Sequence, residues 1–277
     1  MFYTVTSHPQ IQVGIFLGVS DYSGDLLDKT YYFSHPALGL TGGYQISDHF
    51  TLRVAATTGK IEGSDYPSNR GFSKRNLSFQ SAISEIAVTG EHTILNMTNR
   101  RWSPFIFAGL AMYHYNPYTL DQNNQKVYLR PLSTEGQGLT EYGNRKPYSL
   151  TQFSLPVGGG IKYDISNSFQ ITAQIGLRVT NNDYIDDVSK TYVDQNLLLA
   201  ARGVQAVELS YRGDELPGGD QDYPKSGTLR GRSGKIIYND FYYFSGVHLI
   251  FKSGNGDNYG YGGGRFNKKQ ISCPTVF

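Results

Sequence analysis

The links between the alternating segments of this chain are by turns very short and very long, a pattern that few architectures accommodate. Eight segments carry apolar residues at every second position over about nine residues or more, roughly what a tilted strand needs to cross a bilayer. They run at 11–20, 37–46, 50–57, 77–95 and 102–115, in the two halves of 151–180, and at 241–252. Links 47–49, 96–101 and 166–168 are short, whereas 21–35, 60–76, 116–149 and 181–240 are long and hold most of the charge, Pro and Asn. An up-and-down outer-membrane barrel has tight periplasmic turns on one rim and long external loops on the other, and eight strands place both termini on the short-turn side. A soluble lipocalin-like barrel or a sandwich is the competing fold, and regular alternation of this amplitude is less expected there.

The predicted fold is therefore all-β, an eight-stranded antiparallel up-and-down transmembrane β-barrel with four long extracellular loops. Residues 10–252 form the barrel, between an N-terminal periplasmic segment at 1–9 and a Gly-rich periplasmic tail at 253–277. Period two also fixes the faces. In the first segment Ile11, Val13, Ile15, Leu17 and Val19 oppose Gln12, Gly14, Gly18 and Ser20. In the hairpin TQFSLPVGGGIKYDISNSFQITAQIGLRVT, Phe153, Leu155, Val157, Ile161, Tyr163 and Ile165 oppose Gln152, Ser154, Lys162 and Asp164. A soluble sheet would bury the first set, whereas a membrane barrel turns it to lipid. The segments at 77–95 and 102–115 alternate less cleanly. In the first Ile86 and Val88 oppose Glu85, Ala87 and Glu91, in the second FIFAGLAMYHY is apolar or aromatic on both faces, and the facing of both is left open.

Composition agrees with strands. Among 277 residues, 14% are aromatic and 32 are Gly, a balance that favours strands and loops over helices. No stretch approaches the ~20 apolar residues of a spanning helix, so any membrane span must be built of strands. The net charge of +2 gives no pointer to nucleic acid. The single cysteine, Cys273, excludes an internal disulfide framework and a Cys-rich zinc site. The opening MFYTVTSHPQ lacks the basic, apolar and small-residue regions of a secretory signal, which reads as a mature or truncated start.

An eight-stranded barrel is just wide enough for side chains to fill, so a packed polar plug is expected rather than a pore. Its candidate members are Arg53, Glu85, Glu91, Lys162, Asp164, Gln174 and Arg178, of mixed sign and able to pair, as buried charges must. Their expected role is structural. Gly39, Gly43, Gly109, Gly158, Gly160 and Gly176 are expected to relieve crowding at strand bends. Pro156 cannot donate to a ladder, which predicts a bulge or a local break there. Within the longest loop, DQNLLLAARG at 194–203 reads as a short helix with Asp194 or Asn196 near its start and Gly203 after its end. Leu197, Leu198 and Leu199 are expected to pack on neighbouring loops.

Catalytic and cofactor signatures are missing. There is no P-loop, no dinucleotide fingerprint and no His-Glu-x-x-His motif, and GYGGGR at 260–265 reads as a flexible tail. No catalytic, cofactor-binding or metal residues are assigned. Acidic clusters at Asp183, Asp186 and Asp187, and at Asp214, Glu215, Asp220 and Asp222, lack calcium-loop spacing and read as solvated loop charge. His35, His92, His114 and His248 are dispersed and assemble no nucleophile, base and orienter.

The loops carry a further signal. GVSDYSGDL at 18–26, RPLSTEGQG at 130–138, YSLTQFSLPVGGGIKYDIS at 148–166 and DYIDDVSKTYVD at 183–194 resemble the PorG-like family of Bacteroidota outer-membrane barrels, over residues 10–252. The resemblance implies a cell outer-membrane location and a non-enzymatic part in the type IX secretion and gliding machinery. It implies contact with outer-membrane lipid and anchoring of a periplasmic ring made of a lipoprotein and its partner. Two other readings remain: a surface barrel whose long loops bind a ligand or mediate adhesion, and a barrel enzyme acting on lipids.

Overall fold

The computed structural model describes residues 10–27, 29–66, 73–97, 100–231 and 239–253. Segment 1–9, Cys273, GYGGGR and all of the predicted tail except Ser253 lie outside the described residues. Eight long strands close into an antiparallel barrel: β1 (Gln10–Ser23), β2 (His35–Gln45), β3 (Phe50–Ser64), β4 (Ser78–Thr93), β5 (Trp102–Tyr115), β8 (Thr151–Asp164), β9 (Phe169–Thr180) and β10 (Phe241–Ser253). Each pairs with its neighbour in sequence, and β10 closes on β1 from Ile11↔Ser253 to Ser23↔Phe241. The strands outrun the expected segments at the long-loop end; β3, for instance, continues to Ser64.

Two of the short turns repeat one sequence, Ile46-Ser-Asp-His-Phe50 and Ile165-Ser-Asn-Ser-Phe169. In both, the serine hydroxyl accepts the amide of the phenylalanine three residues on, at 3.1 Å from Phe50 and 3.1 Å from Phe169. This local bond fixes the reversal and so sets the register of the hairpin.

Pro156 produces a break without a bulge. Pairing between β5 and β8 lapses after Ala108↔Val157 and resumes at Ala111↔Ser154 in the same register. The other edge of β8 stays paired through Pro156↔Arg178. The missing amide thus costs one ladder and spares the other. Opposite the break, a side chain at Gly109 would run into the Val88 carbonyl, so the strands approach closely there.

The described parts of the long connections carry regular structure of their own. A β6–β7 hairpin (Tyr118–Leu120, Lys126–Tyr128) leans on β4 through Gln80↔Tyr118. Helix α1 (Gln195–Arg202) starts at Asp194, whose carboxylate caps the amides of Asn196 and Leu197, and ends at Gly203 with φ 85°. A second helix unanticipated from the sequence, α2 (Val204–Ser210), follows at once. Of the three leucines expected to pack, Leu198 is buried with Val193 and Ala206, while Leu199 is exposed. At 3.6 residues per turn, three consecutive positions cannot share one face.

Candidate functional site

The outer wall follows the alternation. Val13, Ile15, Leu38, Leu40, Leu52, Val54, Ile86, Val88, Ile106, Leu110, Leu155, Ile161, Ile175 and Leu249 all point outward, with Leu40 67% and Leu110 65% exposed. Below them, at the short-turn end, Tyr44, Phe50, Trp102, Tyr163, Phe169 and Phe251 ring the wall, each contributed by a different strand. A continuous apolar band of this size does not face water. An apolar belt edged by an aromatic girdle is the outer face of a transmembrane barrel, and this chain spans a membrane with its strands.

Inside, the expected residues pair. The Arg53 guanidinium grips both oxygens of Glu91, with Nη2 at 3.1 Å from Oε2. Lys162 Nζ reaches the same carboxylate at 2.7 Å and lies 4.9 Å from the centre of the Phe105 ring. Nearer the long-loop end, Arg178 binds Glu85 through two bonds of 3.0 and 2.9 Å, and Tyr242 Oη donates to Glu85 at 2.8 Å. Asp164 and Gln174 sit less deep than the other five. Asp164 pairs with Lys252 near the short-turn end, and Gln174 borders the centre of the bore.

The plug is not purely polar, which corrects the expectation. Phe16, Phe107 and Phe244 are buried between the two ionic layers, Phe105 and Ile250 are buried nearer the short-turn end, and Tyr113, Tyr115 and Tyr242 lie above them. Two apolar faces in β5 hid this from the sequence: Phe105, Phe107, Tyr113 and Tyr115 turn inward while Ile106, Ala108, Leu110 and Met112 turn outward. His248 is also buried here, with its ring 4.9 Å from Phe16 and neither nitrogen hydrogen-bonded among the described residues. The space left between Arg53, Glu91, Gln174, Arg178 and His248 is about 20 Å³, room for about one water. The bore is closed.

Above it the described parts of the four long connections lock into a cap. Arg230, fully buried, joins Glu135 at 3.3 Å and donates to the carbonyls of Asp187 at 2.7 Å and Ser210 at 3.0 Å. Asp187 accepts the hydroxyls of Thr134 at 2.5 Å and Tyr148 at 2.7 Å. Arg75 holds Asp65 through two 2.8 Å bonds and donates to the Asp25 and Arg230 carbonyls. Tyr22 Oη lies 2.6 Å from Asp186 and 2.8 Å from Asp240. Asp186 and Asp187 are therefore buried cross-links rather than solvated charge, whereas Asp214, Asp220 and Asp222 are exposed as expected. None of these contacts is local, so no spacing rule could announce them.

Burial raises the Asp187 carboxyl to about 6 although Arg230 opposes it, and burial together with neighbouring carboxylates holds Asp186 and Asp240 well above the usual range. The folded cap thus binds the Asp187 proton more tightly than the unfolded chain, whose aspartates titrate near 3.8. That contribution to cap stability is fully present below about 4 and is lost as the pH rises through about 6. Protease resistance of the cap is expected to fall across that window, and Asp187→Asn is expected to flatten the fall; a cap that grows more resistant with rising pH would contradict the assignment.

The histidines remain apart. His35 contacts Glu62 at 2.9 Å, His92 stacks on His49, and His114 contacts Thr151 at 3.0 Å on the outer wall. Among the described residues no group of three or more His, Cys, Asp or Glu is disposed to hold a metal.

Three comparisons complete the description. No curated protein matches the chain. Similar solved structures include Ail, the attachment invasion locus protein of Yersinia pestis, at 7% identity over 88% of this chain and 97% of that one, TM-score 0.40. Neisserial surface protein A is similar at 12% identity, 89% and 98% coverage and TM-score 0.40, and the outer membrane protein OprG from Pseudomonas aeruginosa at 11%, 87%, 95% and 0.42. Residues 1–200 match the family described as Domain of unknown function (DUF6089). That match takes in well over half of the 277 residues, and the chain belongs to the DUF6089 family.

Proposed function

We propose that this protein is a non-enzymatic outer-membrane barrel that serves as an assembly and anchoring component of the type IX secretion machinery. In this reading it docks a periplasmic ring lipoprotein and its partner through the short-turn rim. The observation that carries the reading is the closed bore: paired charges and phenyl rings leave about 20 Å³ at its centre, so the barrel suits a fixed platform better than a conduit. The resemblance of the loop motifs to those of PorG-like barrels supports the choice of machinery. Deleting the gene is expected to block export of proteins bearing the type IX sorting domain, and detergent pull-down of the tagged barrel is expected to recover ring proteins. Normal export in the deletion strain would defeat the reading.

A surface-binding role is the second reading, favoured by one feature of the cap. Between α1, α2 and the segment 211–223 lies a cleft of about 300 Å³ lined by Gln195, Leu199, Glu208, Tyr211 and Tyr223, the lower end of the size range of ligand pockets. Replacing 183–238 with a short linker separates the roles. Lost surface binding with intact secretion would favour adhesion.

A further inference from the structure

The outer wall of the barrel carries a groove of about 640 Å³, far larger than the gap at the centre of the bore. Its floor is set by register. One rung of outward residues reads Leu40, Ala56, Ile86 and Met112 across β2, β3, β4 and β5. The next rung toward the cap reads Leu38, Thr58, Ser84, His114 and Thr151, continuing onto β8. Small side chains at Ala56, Thr58 and Ser84 therefore lie between ridges of Leu38 and Leu40 on one side and Met112 and His114 on the other.

Four consecutive polar residues on a lipid-facing wall need a reason. They satisfy one another in pairs: Thr58 and Ser84 hydroxyls lie 3.2 Å apart, and His114 Nδ1 lies 3.0 Å from Thr151 Oγ1. Such pairing reduces the penalty of placing them beside hydrocarbon near the interface. Directly above Thr58 on the same face of β3 stands Lys60, its side chain 36% exposed and 3.4 Å from Glu62. Glu62 also meets His35 and Gln80 at 2.9 Å, and because an ammonium carries three donors, its contact with Glu62 does not use them all.

An apolar trough, a hydroxyl and imidazole rung and then a cation, in that order toward the interface, match one amphiphile. We propose that the groove binds a single anionic bilayer lipid, with an acyl chain along Ala56 and its headgroup at Lys60. The occupant follows from continuity: the trough opens into the belt of Leu40, Ile86 and Met112, which acyl chains already cover. The proposal rests on the membrane-spanning reading and adds to it a defined lipid site that the anchoring role does not require.

The test reconstitutes the full chain into vesicles of phosphatidylethanolamine and phosphatidylglycerol, with nitroxide-labelled phosphatidylglycerol or phosphatidylcholine as probe in electron spin resonance. The wild type is expected to hold a motionally restricted lipid population that prefers the anionic probe. Lys60→Gln is expected to reduce that preference about fivefold. Ala56→Phe, which fills the trough, is expected to remove the restricted population for this site, and Ile175→Phe on another part of the wall is expected to leave it unchanged. A heated-versus-unheated gel shift confirms assembly of each variant. Insertion with no preference between probes, or an Ala56→Phe barrel that behaves as wild type, overturns the site alone. Failure to insert overturns the membrane barrel together with the site. Disulfide-linked dimers from Ser84→Cys in a Cys273→Ser background would also overturn it, by giving the groove to a second copy.

Discussion

Glu91→Leu is expected to lower the unfolding free energy of the barrel by about 3–5 kcal/mol, the usual cost of leaving a buried charge without its partner. Glu91 binds both Arg53 and Lys162, and all three side chains are at most 4% exposed. Truncation strands two cations in a space with almost no room for water. Denaturant titration in detergent micelles, followed by tryptophan emission from Trp102, reads the loss directly. The triple replacement Arg53→Met, Glu91→Leu, Lys162→Met removes the charges together and is expected to recover most of the stability, since an apolar set of similar volume is often neutral. A Glu91→Leu barrel as stable as the wild type would mean that these groups are solvated and that the bore is open.

Arg230→Met is expected to loosen the cap by a similar 3–5 kcal/mol while leaving the barrel intact. The guanidinium is the joint at which Glu135, Asp187 and Ser210 meet, and it is completely enclosed. Without it Glu135 and Asp187 repel across a buried space. Limited proteolysis should then cut between 181 and 231, where the wild type is expected to resist, and a heat-dependent gel shift of the barrel is expected in both proteins. Hydrogen exchange at the Ser189 and Lys190 amides, which both donate to Glu135, should accelerate in parallel. Unchanged protection there would show that the connections fold independently of this ion pair.

These two sites differ in how far the sequence discloses them. Period two gives the facing of Arg53, Lys162 and Arg178 because each sits in a run whose opposite face is apolar, and less cleanly that of Glu85 and Glu91, which oppose Ile86 and Val88; all five are found buried in the bore. The rule falls silent where both faces are apolar. In β5 it could not tell that Phe105 and Phe107 fill the bore while Ile106 and Leu110 meet lipid. Twist and closure decide that, through the pairing of β5 with strands already oriented. The cap was illegible for another reason. Glu135 and Arg230 lie 95 positions apart and Tyr22 and Asp186 lie 164 apart, so their contacts leave no local period. Asp186 and Asp187 look like ordinary loop charge in one dimension. The short links at 47–49 and 166–168, by contrast, were legible from their length and mark the short-turn rim.

Accessibility along β5 tests the whole account most directly. With Cys273 replaced by serine, a spin label is placed in turn at each position from 106 to 113 in vesicle-inserted protein, and its collisions with oxygen and with a water-soluble nickel chelate are compared. Ile106, Ala108, Leu110 and Met112 should favour oxygen strongly, as lipid-facing sites do, while Phe107, Ala111 and Tyr113 should be shielded from both reagents. The reverse pattern, or a chain that stays dispersed in buffer without detergent and with those four positions shielded, would contradict a membrane-spanning barrel with a closed interior.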